Sequence, residues 1–329
     1  MLGTEGEILT LEGVTREFPG FRLERVSFSL EPGYVMGLIG PNGAGKTTTV
    51  KLILNLIRPQ AGRIRVFGLD SVTQEGDIKR HLGYLGEKAP LPESATAEWL
   101  GSFMARYFPT WDRSLYRHYL KRFEVPDGKP ARALSKGTRT KLALAAAMGH
   151  RPRLLILDEP TSGLDPLVRH EVVDALRDVV SDEGHSVLFS THIVSDLEAI
   201  ADFVAVLVKG RLITCETRDQ LADRWRRLTF RPRDPSSTPL APLLQQFVET
   251  RQLGSLLTGV TGAYGPTLRG EVEAAAAGPV ETCSLALEEI FRYLVSSHSP
   301  AKGHTLANGD RPANSLGPVG SHSPEVESR

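Results

Sequence analysis

The chain of 329 residues is 40% hydrophobic and 24% charged, the balance of a folded protein with enough apolar material for a large core. Its 39 basic and 39 acidic residues cancel, which argues against a protein living on phosphate-backbone electrostatics, so no nucleic-acid partner is expected. Cys215 and Cys283 are too few for a disulfide framework, and no apolar run approaches the roughly 20 residues of a spanning helix.

The first seven residues carry acid and no base, the wrong sign for a signal peptide, so a cytoplasmic protein is expected. Val26-Ser27-Phe28-Ser29-Leu30 alternates strictly and predicts an antiparallel edge strand. Short apolar runs at 34–39, 154–157, 186–190 and 204–208 predict strands buried on both faces. Helical patterns at 47–57, 136–149, 167–181 and 193–201 fill the gaps, so the core to about residue 227 is α/β. Between 88 and 133 the texture is aromatic, from Trp99 to Phe123, and reads as a helical insertion spanning about 88–150. Most of those rings are expected in its core, with a minority forming an exposed patch for a membrane partner. The basic run Arg224-Trp225-Arg226-Arg227 reads as a solvated helix end. Residues 228–296 predict a small α+β accessory domain closing on an amphipathic helix, and 297–329 a disordered tail.

Gly40-Pro41-Asn42-Gly43-Ala44-Gly45-Lys46-Thr47 fits the phosphate-loop pattern between an apolar strand and a helix that continues with Thr48. Its glycines let backbone N–H groups face phosphate oxygens, and the helix adds its positive dipole end. Lys46 can reach the β- and γ-phosphates and Thr47 can ligate Mg²⁺. Downstream, Leu154-Leu155-Ile156-Leu157 delivers Asp158 and Glu159 to the carboxyl end of a central strand, where α/β folds bind ligands. Asp158 suits Mg²⁺ and Glu159 suits polarising a water. Together these predict a nucleotide hydrolase using Mg²⁺; the segment before the second strand decides which nucleotide.

Leu134-Ser135-Lys136-Gly137-Thr138 opens the next helix, with Ser135 at a good N-cap position. Here the sequence resembles the ATP-binding subunits of ABC transporters, whose signature reads Leu-Ser-Gly-Gly-Gln. Ser162-Gly163-Leu164-Asp165 matches the family's D-loop, Ser190-Thr191-His192 its switch histidine, and Gly83-Tyr84-Leu85-Gly86-Glu87 its Q-loop. Phe18 stands where the family has an adenine-stacking Tyr. The resemblance covers roughly residues 8–227. It implies a P-loop NTPase core with an N-terminal antiparallel β subdomain, an inserted helical subdomain and, beyond it, the accessory domain.

The resemblance also implies that Glu159 is the general base, helped by His192, with Glu87 near Mg²⁺. Ser135 and Gly137 would then contact the ATP of a second copy or of a homologous ATPase subunit. Membrane-spanning permease subunits would dock the chain at the cytoplasmic face of the membrane. Lys136, Thr138, Glu87 and Phe18 depart from the common pattern and look like the drug- and antibiotic-export branch. Two other readings stay open, a non-transport ATPase of this class and a regulatory module that binds nucleotide without useful hydrolysis.

Overall fold

A computed structural model describes residues 6–88, 91–183, 185–233 and 240–298. In chain order come β1 (Leu9–Phe18), β2 (Phe21–Leu30), β3 (Val35–Ile39), α1 (Lys46–Ile53), β4 (Ala61–Val66), β5 (Leu69–Asp70), α2 (Glu75–Lys79) and β6 (Leu82–Leu85). The insertion holds α3 (Ala97–Met104), α4 (Arg113–Arg122) and α5 (Lys136–Met148). The core resumes with β7 (Leu154–Asp158), α6 (Pro166–Glu183), β8 (Ser186–Thr191), β9 (Phe203–Val208), β10 (Arg211–Thr217) and α7 (Arg218–Arg224). The rest comprises β11 (Arg226–Phe230), α8 (Leu240–Leu244), β12 (Glu249–Leu253), β13 (Leu256–Thr261), α9 (Pro266–Ala275), β14 (Glu281–Ser284) and α10 (Leu287–Ser297).

Strand composition sorts the strands into sheets. The continuous apolar strands β3, β7 and β8 are buried at every position and sit in the middle of a six-stranded sheet, ordered β10-β9-β3-β8-β7-β6. Only β10 runs antiparallel in it. The alternating β2 is, as expected, the edge of an antiparallel sheet, β2-β1-β4-β5. Helices start where short polar side chains satisfy the first free N–H groups. Thr96 accepts from Trp99, Asp112 from Ser114 and Leu115, and Ser135 from Thr138, while Thr217 and Gln220 form a capping box.

Two expected helices differ. The first, α1, stops at Ile53 rather than residue 57, because Asn55 turns left-handed at φ 53°. Over 193–201 only a 3-10 turn forms, Val194–Asp196. Its β-branched start is a poor helix former, and Asp196 turns inward to Thr161 (2.7 Å) and Arg169 (3.3 Å). The basic run 224–227 is not a solvated helix end either. Trp225 is buried, and the arginines pair with Glu216, Asp223 and Glu289.

The accessory segment forms a second antiparallel sheet, β12-β13-β11-β14, with a small core around Leu228, Phe230 and Phe247. Its last helix, α10, buries Leu287, Ile290 and Leu294 in the cluster that holds Val194, Leu197 and Trp225. The tail expected from residue 297 lies, beyond His298, outside the described residues. Among the described residues no helix is long and apolar enough to cross a membrane.

Candidate active site

The parallel pairing of β3, β8 and β7 brings three motifs to one edge. Ile39 lies opposite Thr191, and Asp158 opposite Ser190, so the phosphate loop, His192 and the two carboxylates leave the sheet side by side. The phosphate loop, Glu159 and His192 border a cleft of about 770 Å³ lined by Asn42 to Thr48, Glu87, Glu159 and His192. Gly20, Phe21 and Ser162 complete its wall. At Gly45 the loop needs glycine twice over. Its φ is +111°, and a Cβ there would meet Phe21 and Leu23 at 2.9 Å.

Glu159 is the hub of the cleft. It is 7% exposed, and its backbone is left-handed at φ 52°, an unfavourable state for a non-glycine residue. Its amide donates to Ser190 O at 2.9 Å, which holds that turn in place. One carboxylate oxygen lies 3.0 Å from Lys46 Nζ, the other 2.7 Å from His192 Nδ1. Lys46 Nζ also donates to the carbonyls of Gly40 (2.9 Å) and Pro41 (3.4 Å), so the buried ammonium is fully engaged.

Asp158 sits deeper. It accepts from Thr47 Oγ1 at 3.3 Å and closely from Ser190 Oγ. Burial, more than these hydrogen bonds offset, raises its carboxyl above the ordinary range. A carboxylate that resists ionisation beside a threonine hydroxyl suits a hard cation, whose charge relieves that resistance. Mg²⁺ takes one or two protein oxygens and fills the rest of its shell with phosphate and water. The Asp158–Thr47 pair therefore fits the ion.

Other expected site residues lie elsewhere. Phe18 does not line the cleft, but its hairpin partner Phe21 does, with ring centroids 6.5 Å apart. Ser135 and Gly137 also stand outside it. Ser135 Oγ caps α5 and lies 2.8 Å from Thr138 Oγ1, while Gly137 packs against Val168. Asp165 caps α6 by accepting from Val168 N at 3.1 Å. Sequence reading overlooked Phe21, Ser162 and Ser190 as side chains of the site. The Pro19-Gly20 turn, which makes Phe18 and Phe21 a cross-strand pair, was the available signal for the first.

Residues 23–162 match the ABC transporter family. The chain is 36% identical over 219 residues to the daunorubicin resistance ATP-binding protein DrrA3 of Streptomyces coeruleorubidus, covering 65% of this chain and 69% of that one. It is 30% identical over 203 residues to the ABC transporter ATP-binding protein YtrB of Bacillus subtilis, covering 62% and 69%. A solved ATP-binding subunit of an ABC transporter superposes with TM-score 0.58 at 28% identity, over 65% of this chain and 91% of that one. Phosphate loop, acidic strand end and histidine thus meet on one cleft in a chain that belongs to the ATP-binding proteins of ABC transporters, ATPases whose hydrolysis is coupled to transport.

Proposed function

We propose that this chain is the motor of an exporter, binding MgATP at sites shared by two ATPase subunits and docking on separate membrane subunits at the cytoplasmic face. The observation that carries the reading is Glu159 held between Lys46 and His192 at the mouth of the sheet. A carboxylate so placed accepts a proton from an attacking water, and His192 orients it. Lys46 and the loop N–H groups stabilise charge on the transferred phosphoryl group. Bound at Asp158 and Thr47, with Glu87 on the cleft wall, Mg²⁺ would supply further charge neutralisation. Phe21, which lines the cleft beside Phe18, offers a ring to adenine.

Ser135 and the N-terminal turn at Gly137 lie outside their own cleft, which supports the reading that they close a neighbour's. Permease docking is supported by an apolar groove of about 640 Å³ between the end of β6 and helices α3 and α5. Leu56, Tyr84, Trp99 and Phe103 line it and are exposed; Trp99 stacks on Phe103, and Tyr107 continues the row with its ring tilted. Tyr84 and Gly86 face this groove while Glu87 faces the nucleotide cleft, so one short segment serves both. The export direction rests on likeness to a protein named for daunorubicin resistance. ATP turnover by the purified chain, alone and with copurified membrane subunits, tests the reading. Hydrolysis should need Mg²⁺ and vanish in Lys46→Ala, and equal turnover in that variant refutes the assignment.

A further inference from the structure

Lys136 is out of place by local rules. It is the first residue of α5, where a cation faces the positive end of the helix dipole, and no acidic residue stands in that first turn to offset it. Its partner lies elsewhere. Lys136 Nζ donates to the backbone carbonyl of Ser162 at 2.6 Å, a contact spanning 26 positions of sequence across β7. The receiving loop follows Glu159 directly, and Ser162 N donates back to Glu159 O at 3.1 Å. Ser162 itself lines the nucleotide cleft.

Two glycines stand beside this contact. Gly163 has φ +63°, and a Cβ there would lie 2.7 Å from Lys136 Nζ, so the loop leaves room for the ammonium. Next to Lys136, a Cβ on Gly137 would lie 2.1 Å from Val168 Cγ1, so the start of α5 presses on the start of α6. The 159–165 loop is therefore held at one end by Ser190 O on Glu159 N, and in its middle by Lys136.

We propose that Lys136 is a positioning residue. Its ammonium ties the turn at Ser135 and Gly137 to the loop beside Glu159, so that a chain's own ATP cleft and the face it offers to a second subunit move as one body. The inference rests on the shared-site reading above. A charge-assisted hydrogen bond to a backbone carbonyl suits the task, because it fixes the loop without placing a side chain in the cleft. Coupled this way, ATP in one cleft organises the neighbouring site, and ATP dependence of hydrolysis is cooperative, with a Hill coefficient between about 1 and the two sites available.

The test uses the full chain with its membrane subunits and compares Lys136→Met, which keeps the stem and loses the ammonium, with Lys136→Arg, which keeps a donor. Lys136→Met should lower the Hill coefficient toward about 1 while maximal turnover changes far less, and Lys136→Arg should restore cooperativity. Hydrogen exchange supplies a readout inside one chain. The amides of Ser162 and Leu164, bonded to Glu159 O and Thr161 O, should exchange at least about tenfold faster in Lys136→Met, with melting temperature unchanged. Unchanged exchange overturns the tether. Faster exchange with unaltered cooperativity, or a non-cooperative wild type, overturns the coupling. Turnover that survives Lys46→Ala in the same preparation signals instead that the ATPase reading has failed.

Discussion

Replacing Glu159 by Gln removes one proton acceptor and one negative charge while keeping side-chain length. The wild-type carboxylate stands 3.0 Å from Lys46 Nζ and 2.7 Å from His192 Nδ1, and an amide cannot take a proton near neutral pH. A positioned base contributes about 10²- to 10⁴-fold, roughly 3–5.5 kcal/mol of barrier, so turnover should fall at least about 100-fold. Stability should suffer less than the burial of the pair suggests. Lys46 keeps the Gly40 and Pro41 carbonyls at 2.9 and 3.4 Å, so no orphaned ammonium remains. The loss is then near the 1.5–3 kcal/mol of a hydrogen bond to a charged group rather than the 3–5 kcal/mol of a broken buried pair. Phosphate release measures the rate, and size-exclusion chromatography with MgATP or ADP measures assembly. MgATP, not ADP, should hold the variant as a dimer, and adding Ser135→Arg should abolish that dimer in the full complex. Turnover within tenfold of wild type would place the base elsewhere. A dimer indifferent to Ser135→Arg would refute the shared site.

The grouping of the candidate site residues was legible because their pattern is local in sequence. A glycine-rich turn after an apolar strand, and two acids after another, declare themselves through spacing that the parallel sheet then brings together. What stayed hidden depended on side-chain partners that a hydrophobic pattern does not register, several of them far along the chain. β6 escaped notice because Gly83 and Tyr84 interrupt its apolar pattern, although it pairs with β7 over its full length. The run Arg224-Trp225-Arg226-Arg227 looks solvated until Glu216, Asp223 and Glu289 arrive to pair with it and Trp225 goes under Tyr293. The helix expected over 193–201 lost to tertiary structure, since periodicity cannot foresee Asp196 turning to Thr161 and Arg169. Lys136 read as a departure from a motif, and only the fold supplied the Ser162 carbonyl it serves.

Further expectations follow from groups away from Glu159. Trp99→Ser with Phe103→Ser should abolish copurification with membrane subunits and leave turnover of the isolated chain within about twofold, since both rings are exposed and outside the cleft. His150 is buried, and burial pushes its pKa down to about 4 from 6.5. Below pH 6.5 the unfolded chain takes up a proton that the folded chain refuses until about 4, so stability falls as pH drops through that window. Urea unfolding should show on the order of 2 kcal/mol lost between pH 6.5 and 5, and less by about that amount in His150→Gln. For Asp158 the sign is opposite. Burial raises its folded proton affinity above the unfolded value, so ionising it counts against folding and stability falls as pH rises through that window. Asp158→Asn keeps an oxygen to accept from Thr47 and Ser190 while removing the desolvated charge. The variant should therefore melt higher than wild type without nucleotide. With MgATP the order should reverse, because only the wild-type carboxylate gains from the cation, and hydrolysis in the variant should drop by about 100-fold or more. Scanning fluorimetry with and without MgATP reads both halves. An Asp158→Asn protein that melts lower in the absence of ligand would mean that the charge supports the fold rather than awaiting the metal.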